Sequence, residues 1–243
     1  KKLSFINPLK YLYLLEQILL EKYEKKTAKL FDQIVLVSKR DGNYFSIGNK
    51  VKKRVQIISN GTEVKKKLYK FNKKNKDIIF IGNINYLPNK IACHDFIKTT
   101  MPKLEMKGIN ITFKIIGQTS NLLKFYLARF KNVEVYNNII SPEKLCRNAI
   151  CGISNLSVVT GIQNKIMEYM RIGLPTIISE KCFDNLNFIK NKDLLVYKNQ
   201  DEFVEQIVKL KTKKLFAKKI SKNCYEKIRS KYTWEKSLKK YNN

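Results

Sequence analysis

The residues best suited to chemistry lie in one segment, Thr160-Gly161-Ile162-Gln163-Asn164-Lys165-Ile166-Met167-Glu168. A loop carrying Gly161 leads into a helix expected to start near Gln163 and end at Gly173, with Pro175 opening the next strand. The first N–H groups of a helix lack intrahelical partners, so a glycine loop feeding that terminus favours an anion. Lys165 falls in the first turn, where the helix dipole disfavours a cation unless an anion is present. Glu168, three residues on, shares its face. A lysine for phosphate and a carboxylate for sugar hydroxyls is what a nucleotide-sugar site needs. The same spacing also makes an ordinary surface ion pair, worth a few tenths of a kcal/mol.

Two glycines end apolar runs elsewhere. Ile81-Gly82-Asn83 precedes a helix that Asn89 is placed to cap, and Gly117 ends the next run at Ile116-Gly117-Gln118. Each fits a backbone that approaches a ligand, and each equally fits an ordinary strand-to-helix turn. The glycine patterns of classical dinucleotide and P-loop sites are absent. His94, the one histidine, is expected to serve structure, and Tyr86 and Tyr136 to pack rather than stack on a base. Five scattered cysteines, none spaced C-x-x-C, fit a reduced cytosol and no zinc site.

The elements that must position these residues show a rhythm. Apolar runs at 77–82, 111–117, 132–136, 149–153, 175–179 and 194–197 read as strands. Helical periodicity fills 90–106, 119–130, 141–148, 163–172 and 201–211 between them. Such alternation predicts a doubly wound α/β domain with a parallel sheet, whose ligands bind at the carboxyl ends of the strands. Upstream, 9–30 is an amphipathic helix with Leu12, Leu15, Ile18, Leu19 and Tyr23 on one face, followed by a buried strand in FDQIVLVS and a second strand at 55–59. Lysine-rich 64–76 reads as a linker or exposed surface, and Thr233 as the cap of a last short helix.

The chain has 243 residues, 44% of them hydrophobic, enough for a packed core. Its formal net charge of +29 points towards nucleic acid, an anionic membrane or a polyanionic substrate. Only six of the 49 basic residues are arginine, while Asn numbers 24 and Ile 29. Nucleic-acid readers favour the planar Arg fork, so this composition reads mainly as that of an AT-rich genome. No uncharged apolar run reaches about 18 residues, so no segment is expected to span a membrane.

GNINYLPN, KIIGQ, NNIISPEKL, TGIQNKIMEYMRIGLPTI and KYTWEKSLKKY stand in the order and spacing of the C-terminal half of GT-B retaining glycosyltransferases. The chain resembles family 4, in the sugar-transferase branch with the pattern GIQNK…E.M..G.P. The resemblance covers residues 77 to 241 well and 16 to 64 loosely. It implies a GT-B-type Rossmann-like domain at 65–231, the end of the acceptor-side domain and the crossover at 1–64, and a C-terminal helix at 232–243 packing back towards the N-terminal segment. Thr160, Gly161, Ile162, Gln163, Asn164 and Lys165 would hold the donor pyrophosphate. Glu168 would bind the ribose hydroxyls, Ile139 and Ile140 the base, and Gly82, Asn83 and Gly117 the nucleotide side of the cleft. Lys165 and Glu168 are the implied catalytic pair.

The implied activity is transfer of a sugar from a UDP- or GDP-sugar, with retention and without metal or cofactor, to a cell-surface glycan or lipid-linked acceptor. Amides, Lys165 and the helix dipole would stabilise the leaving diphosphate. Many family members carry a glutamate where this chain has Thr160, which leaves the donor sugar unassigned. Most of the acceptor domain reads as absent. The expected location is cytoplasmic, at the inner face of an anionic membrane. Three rivals stand beside this reading: a nucleic-acid-binding Rossmann-like module, a GT-B epimerase, and a non-catalytic GT-B partner subunit.

Overall fold

The computed structural model describes residues 8–49, 54–159, 163–183 and 187–239. By contact density the chain divides into Lys1–Ser59 and Asn60–Asn243.

The first unit is a small β-α-β arrangement preceded by a long helix. Helix α1 (Pro8–Leu30) leads to β1 (Ile34–Leu36), α2 (Lys39–Asn49) and β2 (Val55–Ile57). Strands β1 and β2 pair in parallel with Ile34 opposite Val55. Ser38 Oγ accepts from Asp41 N–H at 3.0 Å and so starts α2. The face of Leu12, Leu15, Ile18, Leu19 and Tyr23 is about half exposed, and Val35 and Val37 are exposed too. The FDQIVLVS strand is therefore not buried as expected. Two three-residue strands and one short helix offer too little apolar surface to cover it.

The second unit alternates strands with helices. After β3 (Asp77–Ile81) comes α3 (Leu87–Asp95), a wide π-type turn at Phe96–Thr100 and α4 (Met101–Met106). Pro102 cannot donate to the preceding turn, which accounts for the widening. Then follow β4 (Thr112–Ile116), α5 (Asn121–Ala128), β5 (Val133–Tyr136), a 3₁₀ turn at Pro142–Cys146 and β6 (Ala149–Ser154). The remainder is α6 (Asn164–Met170), β7 (Thr176–Ser179), α7 (Glu180–Phe183), β8 (Leu195–Tyr197), α8 (Gln200–Thr212), α9 (Lys214–Lys231) and α10 (Trp234–Lys239). The helix expected at 141–148 is only that 3₁₀ turn, which Pro142 opens at its first position.

All six strands run parallel in the order β5-β4-β3-β6-β7-β8. The chain winds outward one way from β3 and the other way from β6, so the order reverses between them. This is the GT-B-type Rossmann-like sheet. Strand alternation divides the core: Ile78, Phe80, Phe113 and Ile115 enter one cluster, and Ile79 and Ile116 enter another with Tyr169, Ile172 and Leu174. On that second side Lys114 Nζ meets the buried Asp77 carboxylate at 2.6 Å.

Residues 64–76 are not a loose surface linker. Leu68 and Tyr69 N–H donate to Ile172 C=O at 3.0 and 3.2 Å, and Tyr69 and Asn75 are buried. The lysines point outward while Tyr69 closes the second core cluster. At the other end Thr62 N–H donates to Tyr232 C=O at 2.8 Å, and Thr233 Oγ1 accepts from Lys236 N–H at 3.3 Å at the start of α10. Among the described residues no helix is long and apolar enough to cross a membrane.

Candidate functional site

In a parallel sheet of this order the strands flanking the reversal part at their carboxyl ends, which opens a crevice for ligand. Here β3 and β6 pair only as far as Ile79 opposite Gly152, with a register shift between Asp77 and Ile78. Beyond that point the buried Tyr169 phenol stands between them. Its oxygen accepts from Ile81 N–H at 2.7 Å and donates to Ile153 C=O at 3.2 Å. The ring lies on Gly152, where any Cβ would overlap it. Sequence reasoning missed both residues; the one signal was a glycine inside an apolar strand run.

Tyr169 belongs to α6, and so do the two candidate residues on either side of it. Lys165 turns inward rather than along the surface. Its Nζ donates to Asn89 Oδ1 at 2.7 Å, lies 3.9 Å from the centre of the Phe80 ring, and the residue is only 7% exposed. Burial lowers its pKa from 10.5 to about 8, with the nearby Cys93 and Cys182 partly opposing. The surface pair of Lys165 with Glu168, the alternative that the spacing left open, is not formed. Among the described residues no carboxylate pairs with this ammonium.

Asn89 does not cap α3; it lies inside the first turn, behind Tyr86. Its amide instead joins the Asn83 loop to α6, donating from Nδ2 to Asn83 C=O at 2.8 Å while Oδ1 accepts from Lys165 Nζ. A Cβ on Gly82 would stand 3.1 Å from Asn89 Nδ2 and 3.3 Å from Lys165 Nζ, so a side chain there would crowd the lysine. Gly117, at φ +139°, brings its α-carbon so near the Gly82 carbonyl oxygen that a methyl group would overlap it. The structure thus gathers Gly82, Asn83, Gly117 and Lys165 around Asn89. More asparagines stitch these loops: Asn85 Oδ1 accepts from Ser120 N–H at 2.9 Å, and Asn137 Nδ2 donates to Thr119 C=O at 2.9 Å.

Glu168 is held by Arg171, with Oε2 2.6 Å from Nη2 and about a third of its side chain exposed. Glu143, on the 3₁₀ turn, approaches the same Nη2 at 3.9 Å. Ile139 and Ile140 follow the edge strand β5, two strands from the reversal, and Ile140 is fully exposed. Gln163 precedes α6 in extended backbone, and Asn164 Oδ1 accepts from Asn60 Nδ2 at 2.9 Å. Thr160, Gly161 and Ile162 lie outside the described residues. His94 is exposed on α3 and its ring stacks on that of Tyr126 at 6.3 Å. Tyr136 donates its phenol to Glu134 at 2.6 Å, which raises its pKa to about 12.

Solved structures share this architecture. TarM superposes with a TM-score of 0.77 at 19% identity over 92% of this chain, and a point mutant of S. aureus TarM in complex with fondaparinux, alpha-GlcNAc-glycerol and UDP gives 0.72 at 17%. Anabaena HepE in complex with UDP and glucose gives 0.72 at 10% identity over 91% of this chain. The chain spans 45% of TarM and 66% of HepE, and identities this low speak for the fold alone. No curated protein matches the sequence. The family model for group 1 glycosyl transferases matches residues 75–213, which run from just before β3 into the end of α8 and so include the whole sheet and the Lys165 crevice. With more than half of its length inside that match, the chain belongs to the group 1 glycosyl transferases.

Proposed function

We propose that the chain carries the donor half of a retaining family 4 glycosyltransferase. It moves a hexose from a UDP- or GDP-sugar, without a metal ion, to a cell-surface glycan or lipid-linked acceptor. The observation that carries this reading is Lys165, a buried ammonium with a neutral amide and an aromatic face for partners and no carboxylate among the described residues. A buried cation without a counter-charge is costly, and a diphosphate at the Gly82 loop supplies one. As the glycosidic bond breaks, charge grows on that diphosphate, and a fixed ammonium favours the later state more than the earlier. Glu168 has one oxygen on Arg171 and the other without a partner among the described residues, able to accept from ribose hydroxyls. UDP in the TarM and HepE crystals fits this reading; retention rests on the family 4 resemblance.

Titration calorimetry of UDP, GDP and a short DNA duplex at two salt concentrations tests it. One nucleotide should bind saturably, and Glu168→Ala should weaken it about tenfold, the loss of a hydrogen bond to a charged group. Salt-sensitive DNA binding alone would overturn it in favour of the nucleic-acid module.

The reading includes peripheral contact with an anionic membrane at the cytoplasmic face. A groove of about 670 Å³ runs between α3 and α5, lined by Leu87, Ile91, Leu122 and Tyr126 together with Lys90 and Lys98. Leu122 and Phe125 are 85% and 71% exposed. Apolar side chains beside two lysines, against the one carboxylate of Asp95, suit an interface of anionic headgroups and acyl chains. The protein should sediment with phosphatidylglycerol-containing vesicles several-fold better than with pure phosphatidylcholine, and the Ile91→Glu, Leu122→Glu double variant should lose the difference. Equal sedimentation with both vesicles would rule the contact out.

A further inference from the structure

We propose that Arg171 is a positioning residue for ribose recognition, an inference that rests on the donor-site reading above. The sequence pattern leaves position 171 open, so the resemblance gives it no role. In the structure its guanidinium is largely buried, with a side-chain exposure of 12%. Nη2 bonds Glu168 Oε2 at 2.6 Å and faces Glu143 Oε2 at 3.9 Å, while Nε has no hydrogen-bond partner among the described residues. An arginine sunk in this way with a donor unmet is a poor device for stability, since an apolar side chain would fill the space at lower desolvation cost. Its geometry serves orientation instead.

Arg171 begins the turn that ends α6, its backbone N–H donating to Met167 C=O at 2.8 Å. The guanidinium is therefore anchored one turn beyond Glu168 and reaches back to it. The contact is a single charge-assisted one, Nη2 to Oε2, and a rigid planar guanidinium aims that donor more narrowly than a freely rotating lysine ammonium would. With Oε2 engaged by the largely buried guanidinium, the Glu168 side chain is still 34% exposed, which leaves it open to a ligand. Glu143 stands on the turn just after Ile139 and Ile140, the loop expected to meet the base. Arg171 thus stands between the carboxylate assigned to the ribose, at 2.6 Å, and Glu143 beside the segment expected to meet the base, at 3.9 Å.

The test compares UDP and GDP with their 2′,3′-dideoxy counterparts by calorimetry on the full chain, in the wild type, Arg171→Met and Arg171→Lys. The wild type should prefer the ribonucleotide. Arg171→Met should lower its affinity about five- to twentyfold and leave that of the dideoxynucleotide within about twofold, because only the diol contact is misaligned. Arg171→Lys, which keeps the charge and gives up the fork, should fall between and serves where the Met variant does not fold. Equal losses for both nucleotides would show a merely structural arginine and overturn the proposal, as would unchanged ribonucleotide affinity in both variants. A wild type that binds both nucleotides equally would overturn the ribose role of Glu168 while leaving the phosphate site standing. A wild type that binds no nucleotide would instead overturn the donor-site reading itself.

Discussion

Lys165→Met should bind the donor nucleotide roughly ten- to a hundredfold more weakly, the worth of a hydrogen bond to a charged group. The same variant should melt at a higher temperature than the wild type at pH 7. The two effects have one origin. Burial depresses the folded-state pKa of Lys165 from 10.5 to about 8, so the folded protein holds the proton less tightly than the unfolded chain does. Below about pH 8 both states are protonated, and the cost of burying the charge is fully present. As pH rises from about 8 to 10.5 the folded amine loses its proton first and the cost fades. At about 1.4 kcal/mol per pKa unit the cost is on the order of 3 kcal/mol at neutral pH. Methionine removes it but strands Asn89 Oδ1, which returns about 1–2 kcal/mol. The net gain of about 1–2 kcal/mol corresponds to roughly 2–8 °C in Tm.

The advantage of the variant should shrink between pH 8 and 10.5. Nucleotide affinity of the wild type should fall over the same range, because the diphosphate loses its cationic partner. Thermal unfolding at pH 7 and 10, with calorimetry alongside, checks both. A lower Tm for Lys165→Met at pH 7, or an unchanged nucleotide affinity, would show that this ammonium is a structural anchor and no anion site.

Much of the scaffold was legible in the sequence because strands buried on both faces must be continuous apolar runs. Ile78-Ile79-Phe80 and Ile115-Ile116 admit no other reading once helical segments lie between them. The segment 64–76 was misread because its lysines mask Tyr69, whose burial depends on Ile172 and Leu174 far along the chain. The candidate site was legible in residue types but not in partners. Lys165 and Asn89 are 76 residues apart, and Tyr169 and Ile81 are 88. Helical spacing suggested Glu168 for Lys165 because it ranks neighbours within one helix. It carries no information about a lysine that turns under the next loop, or about an arginine that takes the glutamate instead.

Tyr169→Phe should cost more than removal of a phenol hydroxyl usually does, about 2–4 kcal/mol. The hydroxyl is donor and acceptor at once, and its loss strands the part-buried Ile81 N–H and the buried Ile153 C=O, at up to about 1–3 kcal/mol each before the neighbours relax. A drop of roughly 5–15 °C in Tm follows. Gly152→Ala should be at least as damaging, since the added Cβ would overlap a ring that is wholly buried and has nowhere to move. The two sites should couple with a distinctive sign. Gly152→Ala should cost less in a Tyr169→Leu background than in the wild type, because the smaller side chain relieves the overlap. A double-mutant cycle by urea unfolding measures this. Full additivity would mean that the ring does not rest on Gly152, and a Tyr169→Phe variant as stable as the wild type would mean that the hydroxyl does not bridge the strands. The bridge matters because β3 and β6 are the one adjacent pair whose connections lead away in opposite directions, so no loop draws their carboxyl ends together. Without the phenol, that opening would have to satisfy its backbone with water where the donor is expected to sit. Nucleotide affinity should therefore fall along with stability, although Tyr169 is assigned no contact with the ligand.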